Sequence, residues 1–82
     1  MFVARAIIVE DNAFMATVLN DMLQTEAPSI EVMGVAATGK EGLKQIDKYK
    51  PDIIFLDIEL PDMTGFEMLG QLTEINFKTI FT

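Results

Sequence analysis

The chain has no cysteine and no histidine. The first absence excludes disulfides and thiolate-held metals and suits a reducing compartment. The second excludes an imidazole-ligated zinc, an imidazole general base and a phosphohistidine. Any metal bound by these side chains must therefore be a hard cation on oxygen. Positive charge is scarce too: six Lys and Arg stand against thirteen Asp and Glu, a formal charge of −7. Arg5, Lys40, Lys44, Lys48, Lys50 and Lys78 are scattered, so direct nucleic-acid binding, which needs clustered cations, is not expected. No apolar run approaches the length of a membrane span. The opening Met1-Phe2-Val3-Ala4-Arg5 lacks the basic-then-apolar order of a signal peptide. The expectation is a soluble cytoplasmic protein of one domain, since 82 residues are too few for two and give a core of marginal size.

What is present is an alternation of patterns. Ala6-Ile7-Ile8-Val9, Ile53-Ile54-Phe55-Leu56 and Thr79-Ile80-Phe81 are short continuous apolar runs, and Ile30 to Ala36 is a fourth β-rich segment. Such runs suit strands buried on both faces of a parallel sheet. Between Asn12 and Glu26 the apolar set Met15, Val18, Leu19, Met22, Leu23 follows helical spacing and predicts an inward stripe, ended by Pro28. Thr38 predicts the N-cap of a second helix with Leu43 and Ile46 inward, ending near Pro51. A third helix is expected from Thr64 or Gly65, burying Phe66, Leu69 and Leu72. The methionines Met15, Met22, Met33, Met63 and Met68 fit core and loop packing rather than metal binding. The order β-α-β-α-β-α-β predicts a parallel α/β sheet.

Glu10 and Asp11 directly follow the first strand, and Asp57 closes the third. Ligands of open α/β sheets bind beyond the carboxyl ends of the strands, where the strand order reverses. With order 2-1-3-4, strands one and three adjoin at that reversal and the three acids converge. Two unit charges about 4 Å apart repel by roughly 4 kcal/mol at an effective dielectric near 20. A divalent cation relieves this, and oxygen ligands with open water positions favour Mg²⁺. Beside such an ion a carboxylate can accept a phosphoryl group as nucleophile, forming an acyl phosphate.

The segments Ile7-Ile8-Val9-Glu10-Asp11-Asn12 and Lys50-Pro51-Asp52-Ile53-Ile54-Phe55-Leu56-Asp57-Ile58-Glu59-Leu60-Pro61-Asp62-Met63-Thr64-Gly65 closely resemble the response-regulator receiver family of two-component signal transduction. The resemblance runs the length of the chain. It implies a flavodoxin-like three-layer α/β fold, and phosphorylation of Asp57 by a histidine kinase or histidine phosphotransfer protein. It implies Mg²⁺ on Asp11, Asp57 and the main-chain carbonyl of Glu59, with Glu10 acting through water. Thr82 matches the family's switch Ser/Thr, whose hydroxyl bonds the phosphoryl group. Receivers present their first helix to the kinase, so Asn12, Phe14, Met15 and Val18 become docking candidates. Phe14 itself falls off the inward stripe.

Receivers also continue past this Thr with a helix, a fifth strand ending in Lys and a last helix. Neither Lys50 nor Lys78 sits at the matching strand end. Residues 1–82 are therefore expected to form an incomplete receiver, a fragment or an associating variant that lacks its last helix-strand-helix. One sheet face would have a single helix over it, and the fourth strand would be an apolar edge. In the alternative, such a chain would keep the acidic pocket yet act only as an interaction module without phospho-switching.

Two rival motifs are weaker. Gly34-Val35-Ala36-Ala37-Thr38-Gly39-Lys40-Glu41 fits most of a phosphate-binding P-loop, but Glu41 stands where a magnesium-binding hydroxyl is needed. Capping by Thr38, with Gly39 and Gly42 allowing close helix–sheet packing, explains these residues more simply. Phe55-Leu56-Asp57-Ile58-Glu59 resembles the aspartyl-phosphate strand of haloacid-dehalogenase phosphatases. That pattern wants a second Asp where Glu59 stands and Thr or Val where Pro61 stands, on the first strand rather than the third. No phosphatase turnover is expected. Self-association through the bare face and fourth strand is expected, and sedimentation at high concentration checks it: a strictly monomeric, cooperatively folded species would exclude it.

Overall fold

The computed structural model describes residues 3–82; the leader reading of Met1 and Phe2 lies outside them. Four strands, β1 (Ala4–Val9), β2 (Ile30–Ala36), β3 (Ile53–Leu56) and β4 (Lys78–Phe81), alternate with α1 (Ala13–Glu26), α2 (Gly39–Tyr49) and α3 (Gly65–Gly70). Every strand pair is parallel, which obliges each connection to cross over and carry a helix. The order is β2-β1-β3-β4, as the sequence predicts. The strand order reverses between β1 and β3, the central pair.

Alternation along β1 divides the core. Ile7 and Val9 join Ala36, Ile46, Ile54, Leu56 and Met68 beneath α2 and α3. Ala6 and Ile8 join Ala16 and Phe55 beneath α1. Ile7, Ile8, Val9, Ile54 and Leu56 are fully buried, and each such side chain contributes about 1.5–3 kcal/mol of apolar burial. This buried pair of strands is the rigid platform for the residues that follow it.

Local chemistry starts the helices where expected. Asn12 accepts from the Met15 amide at 3.1 Å and Thr38 from the Glu41 amide at 3.0 Å. Thr64 and Glu67 form a reciprocal capping box at α3. Lys50 closes α2 in the left-handed region, φ 49°. β2 carries an irregularity: Ala6 pairs with Val32 but Ile7 with Gly34, so Met33 is an extra residue on the edge strand.

The structure corrects the inward stripe of α1. Ala16, Leu19 and Leu23 face the sheet, whereas Met15, Val18 and Met22 are exposed, Met22 by 56 %. Met15 and Met22 therefore are not core methionines, although Met68 is fully buried and Met33 and Met63 pack against the core. Phe66 is exposed rather than buried; it meets Phe81 with ring centroids 5.0 Å apart. α3 ends at Gly70, so Leu72 packs from the turn after it. Gly42 does allow close helix–sheet packing, since a Cβ there would meet Val9 at 3.2 Å, but Gly39 packs on Met63 of a loop. In β4, Ile80 and Phe81 are both exposed on an edge strand.

Gly65 is where the fold tolerates no side chain. A Cβ there would lie 2.6 Å from the Asp57 carbonyl oxygen and 3.0 Å from Leu56 Cγ, both fixed by β3. Gly65→Ala is expected to destabilise by about 1–3 kcal/mol, the usual cost of overpacking, read as a lower denaturation midpoint; a wild-type midpoint would refute the close approach.

Candidate functional site

The carboxyl ends of β1 and β3 stop level with each other. The Asp57 amide donates to Val9 O at 2.9 Å and the Glu10 amide to Ala36 O at 2.8 Å, so both acids leave the sheet under ladder control. Each of Glu10, Asp11 and Asp57 offers a carboxylate oxygen within 4.8 Å of the others. The only ion pair among the described residues is Lys50–Asp47, so no basic side chain neutralises the cluster directly. Partial loss of solvent, then the Asp57 and Asp11 carboxylates, raise the Glu10 carboxyl above its ordinary value, against the Asn12 amide that pulls it down. Because the folded protein holds this proton more tightly than the unfolded chain, the stability owed to Glu10 falls as pH rises through its titration. An all-oxygen, anionic, partly exposed donor set of this kind fits Mg²⁺.

The loop after β3 is itself a small hairpin. The Gly65 amide donates to Ile58 O at 2.6 Å and the Leu60 amide to Met63 O at 3.1 Å, with Glu59 and Thr64 bridged antiparallel. Glu59 donates its amide to Asp57 Oδ1 at 3.3 Å, tying the carboxylate to the loop that carries the Glu59 carbonyl. At the hairpin tip, Asp62 accepts the Gly39 amide at 2.8 Å and the Lys40 amide at 3.0 Å. These two bonds hold the Asp62 carboxyl below its ordinary value. The sequence alone gave no sign of this contact, because it joins residues more than twenty positions apart. It also disposes of the P-loop reading: the amides that would cradle a phosphate already hold a carboxylate.

Thr82 follows Phe81, the register partner of Leu56, and its amide donates to Leu56 O at 3.0 Å. It therefore stands beside Asp57 at the strand ends. On α1, Asn12, Phe14, Met15 and Val18 are all exposed, Phe14 by 73 %. Phe14, Val18 and Met22 are four residues apart and share one helical face. No helix among the described residues is long and apolar enough to cross a membrane.

Fold and cluster together define a doubly wound α/β domain with an acidic crevice at its topological switch point. Residues 6–81 match the family model of the response regulator receiver domain, and the chain belongs to that family. It is 46% identical over 71 residues to the Bacillus subtilis protein-glutamate methylesterase/protein-glutamine glutaminase, covering 87% of this chain and 20% of that protein. A Koribacter versatilis protein of the same description, numbered 2, is 44% identical over 70 residues, with 85% and 19% covered. The chain thus spans about a fifth of the length of these relatives. Among solved structures, the response regulator domain of Thermotoga maritima CheB superposes with a TM-score of 0.87 at 35% identity, over 96% of this chain and 59% of that one. A LuxR-family DNA-binding response regulator from Staphylococcus aureus gives 0.88 at 28% identity, over 96% and 67%.

Asp57→Asn removes one charge from the crowded cluster. The metal-free variant is expected to be more stable by up to about 1 kcal/mol after solvent screening. Thermal unfolding in chelator measures this, and a lower melting temperature would contradict mutual repulsion.

Proposed function

We propose that this receiver domain accepts a phosphoryl group on Asp57 from a histidine kinase or a histidine phosphotransfer protein. The observation that carries the reading is the convergence of the Glu10, Asp11 and Asp57 oxygens at the ends of the two central strands. Asp57 is the nucleophile: its carboxylate oxygen forms the bond to phosphorus while the donor's phosphorus–nitrogen bond breaks, and the electron pair leaves with the imidazole. Asp11, Asp57 and the Glu59 carbonyl would hold Mg²⁺, with Glu10 bound through water. Such an ion supplies charge neutralisation for the entering phosphoryl oxygens. Thr82 donates its hydroxyl to the phosphoryl group. The exposed α1 face built on Asn12, Phe14, Met15 and Val18 meets the donor protein, with Phe14 as its aromatic anchor. The setting is the cytoplasm.

A second reading is favoured by one observation. Ile80 and Phe81 are exposed on the two faces of edge strand β4, with Phe66 beside Phe81. Residues 1–82 then act as an interaction module that pairs with a second copy at this edge. The two readings part on ligand response.

With Mg²⁺ and a small phosphoryl donor such as acetyl phosphate, intact mass should rise by one phosphoryl group. Asp57→Asn or excess chelator should abolish the gain. Mg²⁺ alone at ten times its Kd should stabilise by about 1.4 kcal/mol through linkage, and beryllofluoride with Mg²⁺ should raise the melting temperature further. No response to either leaves only the interaction module.

A further inference from the structure

The Gly39, Lys40 and Glu41 amides open α2 and have no helical carbonyl partners, as at any helix start. Here each finds another acceptor. Gly42 makes the first helical bond, to Thr38 O at 2.9 Å, and Glu41 donates to Thr38 Oγ1 at 3.0 Å. The first two, Gly39 and Lys40, both go to Asp62, which lies in a different loop. That loop is the hairpin whose base starts at Asp57 and whose first strand carries Glu59. Its base is pinned by the Gly65 amide on Ile58 O and by the close approach of Gly65 to the Asp57 carbonyl. Its tip is pinned by Asp62 and by Met63, which packs so tightly on Gly39 that a Cβ there would come within 2.5 Å of Met63 Cγ. Gln71, the residue after α3, donates its side-chain amide to the Met63 sulfur at 3.4 Å.

We propose that Asp62 is a positioning residue for the phospho-acceptor site: by bridging the Gly39 and Lys40 amides it fixes the hairpin tip, and through the hairpin it steadies Glu59, whose amide is on Asp57 Oδ1 and whose carbonyl would be a metal ligand. A two-point anchor of this kind removes the hinge freedom of the turn Leu60-Pro61-Asp62-Met63. The carbonyl is then presented without an ordering cost when the cation arrives. The inference rests on the reading of the acid cluster as a Mg²⁺ site, and it adds a residue that touches neither metal nor phosphoryl group.

The test is calorimetric titration of the whole chain with Mg²⁺ alone, alongside the Glu59 and Leu60 amide resonances. Asp62→Ala should weaken Mg²⁺ binding roughly tenfold, the scale on which outer-shell partners act, and should shift both amides. Asp62→Asn, which keeps one acceptor oxygen, should fall between. Thr38→Ala removes a cap from the same helix end and should lower the melting temperature while leaving Mg²⁺ affinity unchanged. Wild-type affinity in Asp62→Ala overturns the tether. So does equal weakening by Thr38→Ala, which would make the effect one of helix fraying. If the wild type itself binds no Mg²⁺ and Asp57→Asn changes nothing, the metal reading falls and takes the tether with it.

Discussion

Three carboxylates held together with no ammonium or guanidinium paired to them among the described residues are the constraint on which this molecule turns. Left to themselves, Glu10, Asp11 and Asp57 would separate in water, where side-chain freedom and solvent make repulsion cheap to escape. They do not separate because their main chains are not free. The amides of Glu10 and Asp57 are tied to neighbouring strands, and the residues before them are sealed in the core. Hydrophobic burial in β1 and β3 therefore sustains an electrostatic arrangement that is unfavourable in itself. This is the usual sense in which a scaffold stores strain at a site, and it explains why the acids follow the most buried residues of the chain.

Much of this was written in the sequence. The continuous apolar runs gave the parallel sheet, Thr38 and Thr64 gave helix starts, and the positions of Glu10, Asp11 and Asp57 after strands gave the crevice. The α1 stripe was misread for a physical reason. Met15, Val18 and Met22 are more apolar than Ala16, yet Ala16 is what the close approach of helix to sheet accommodates. A hydrophobic pattern reports which faces are apolar, not which apolar face wins. Phe66 was misplaced because α3 is short and its first turn looks toward β4 instead of the core. The Asp62 contact was invisible, since it depends on where two loops meet after folding, and Asp after Pro reads only as a turn.

The two sides of the sheet are unequal in kind. Under α2 and α3 the cluster is large and includes the buried Met68. Under α1 it is smaller and built on Ala16 and Phe55. Ile80 continues the α1 side across β4 by its pairing with Phe55, and Phe81 continues the other by its pairing with Leu56. Apolar character at the β4 edge is thus the lateral extension of both cores, which is why its residues are exposed as a pair on opposite faces rather than as one patch.

The extra residue in β2 reaches further than its place at the edge suggests. Met33 is taken up between Ala6 and Ile7 without advancing the ladder, so one residue's length of β2, about 3.3 Å, is absorbed there. Ala36 is thereby held level with Val9, where its carbonyl takes the Glu10 amide at 2.8 Å. Paired straight through, β2 would carry Ala36 one step past Val9 and move its carbonyl off the Glu10 amide. The bulge works as a vernier at the edge of the sheet: it sets the phase between a peripheral strand and the acid that leaves β1, so a length change in β2 would be felt at the acid crevice.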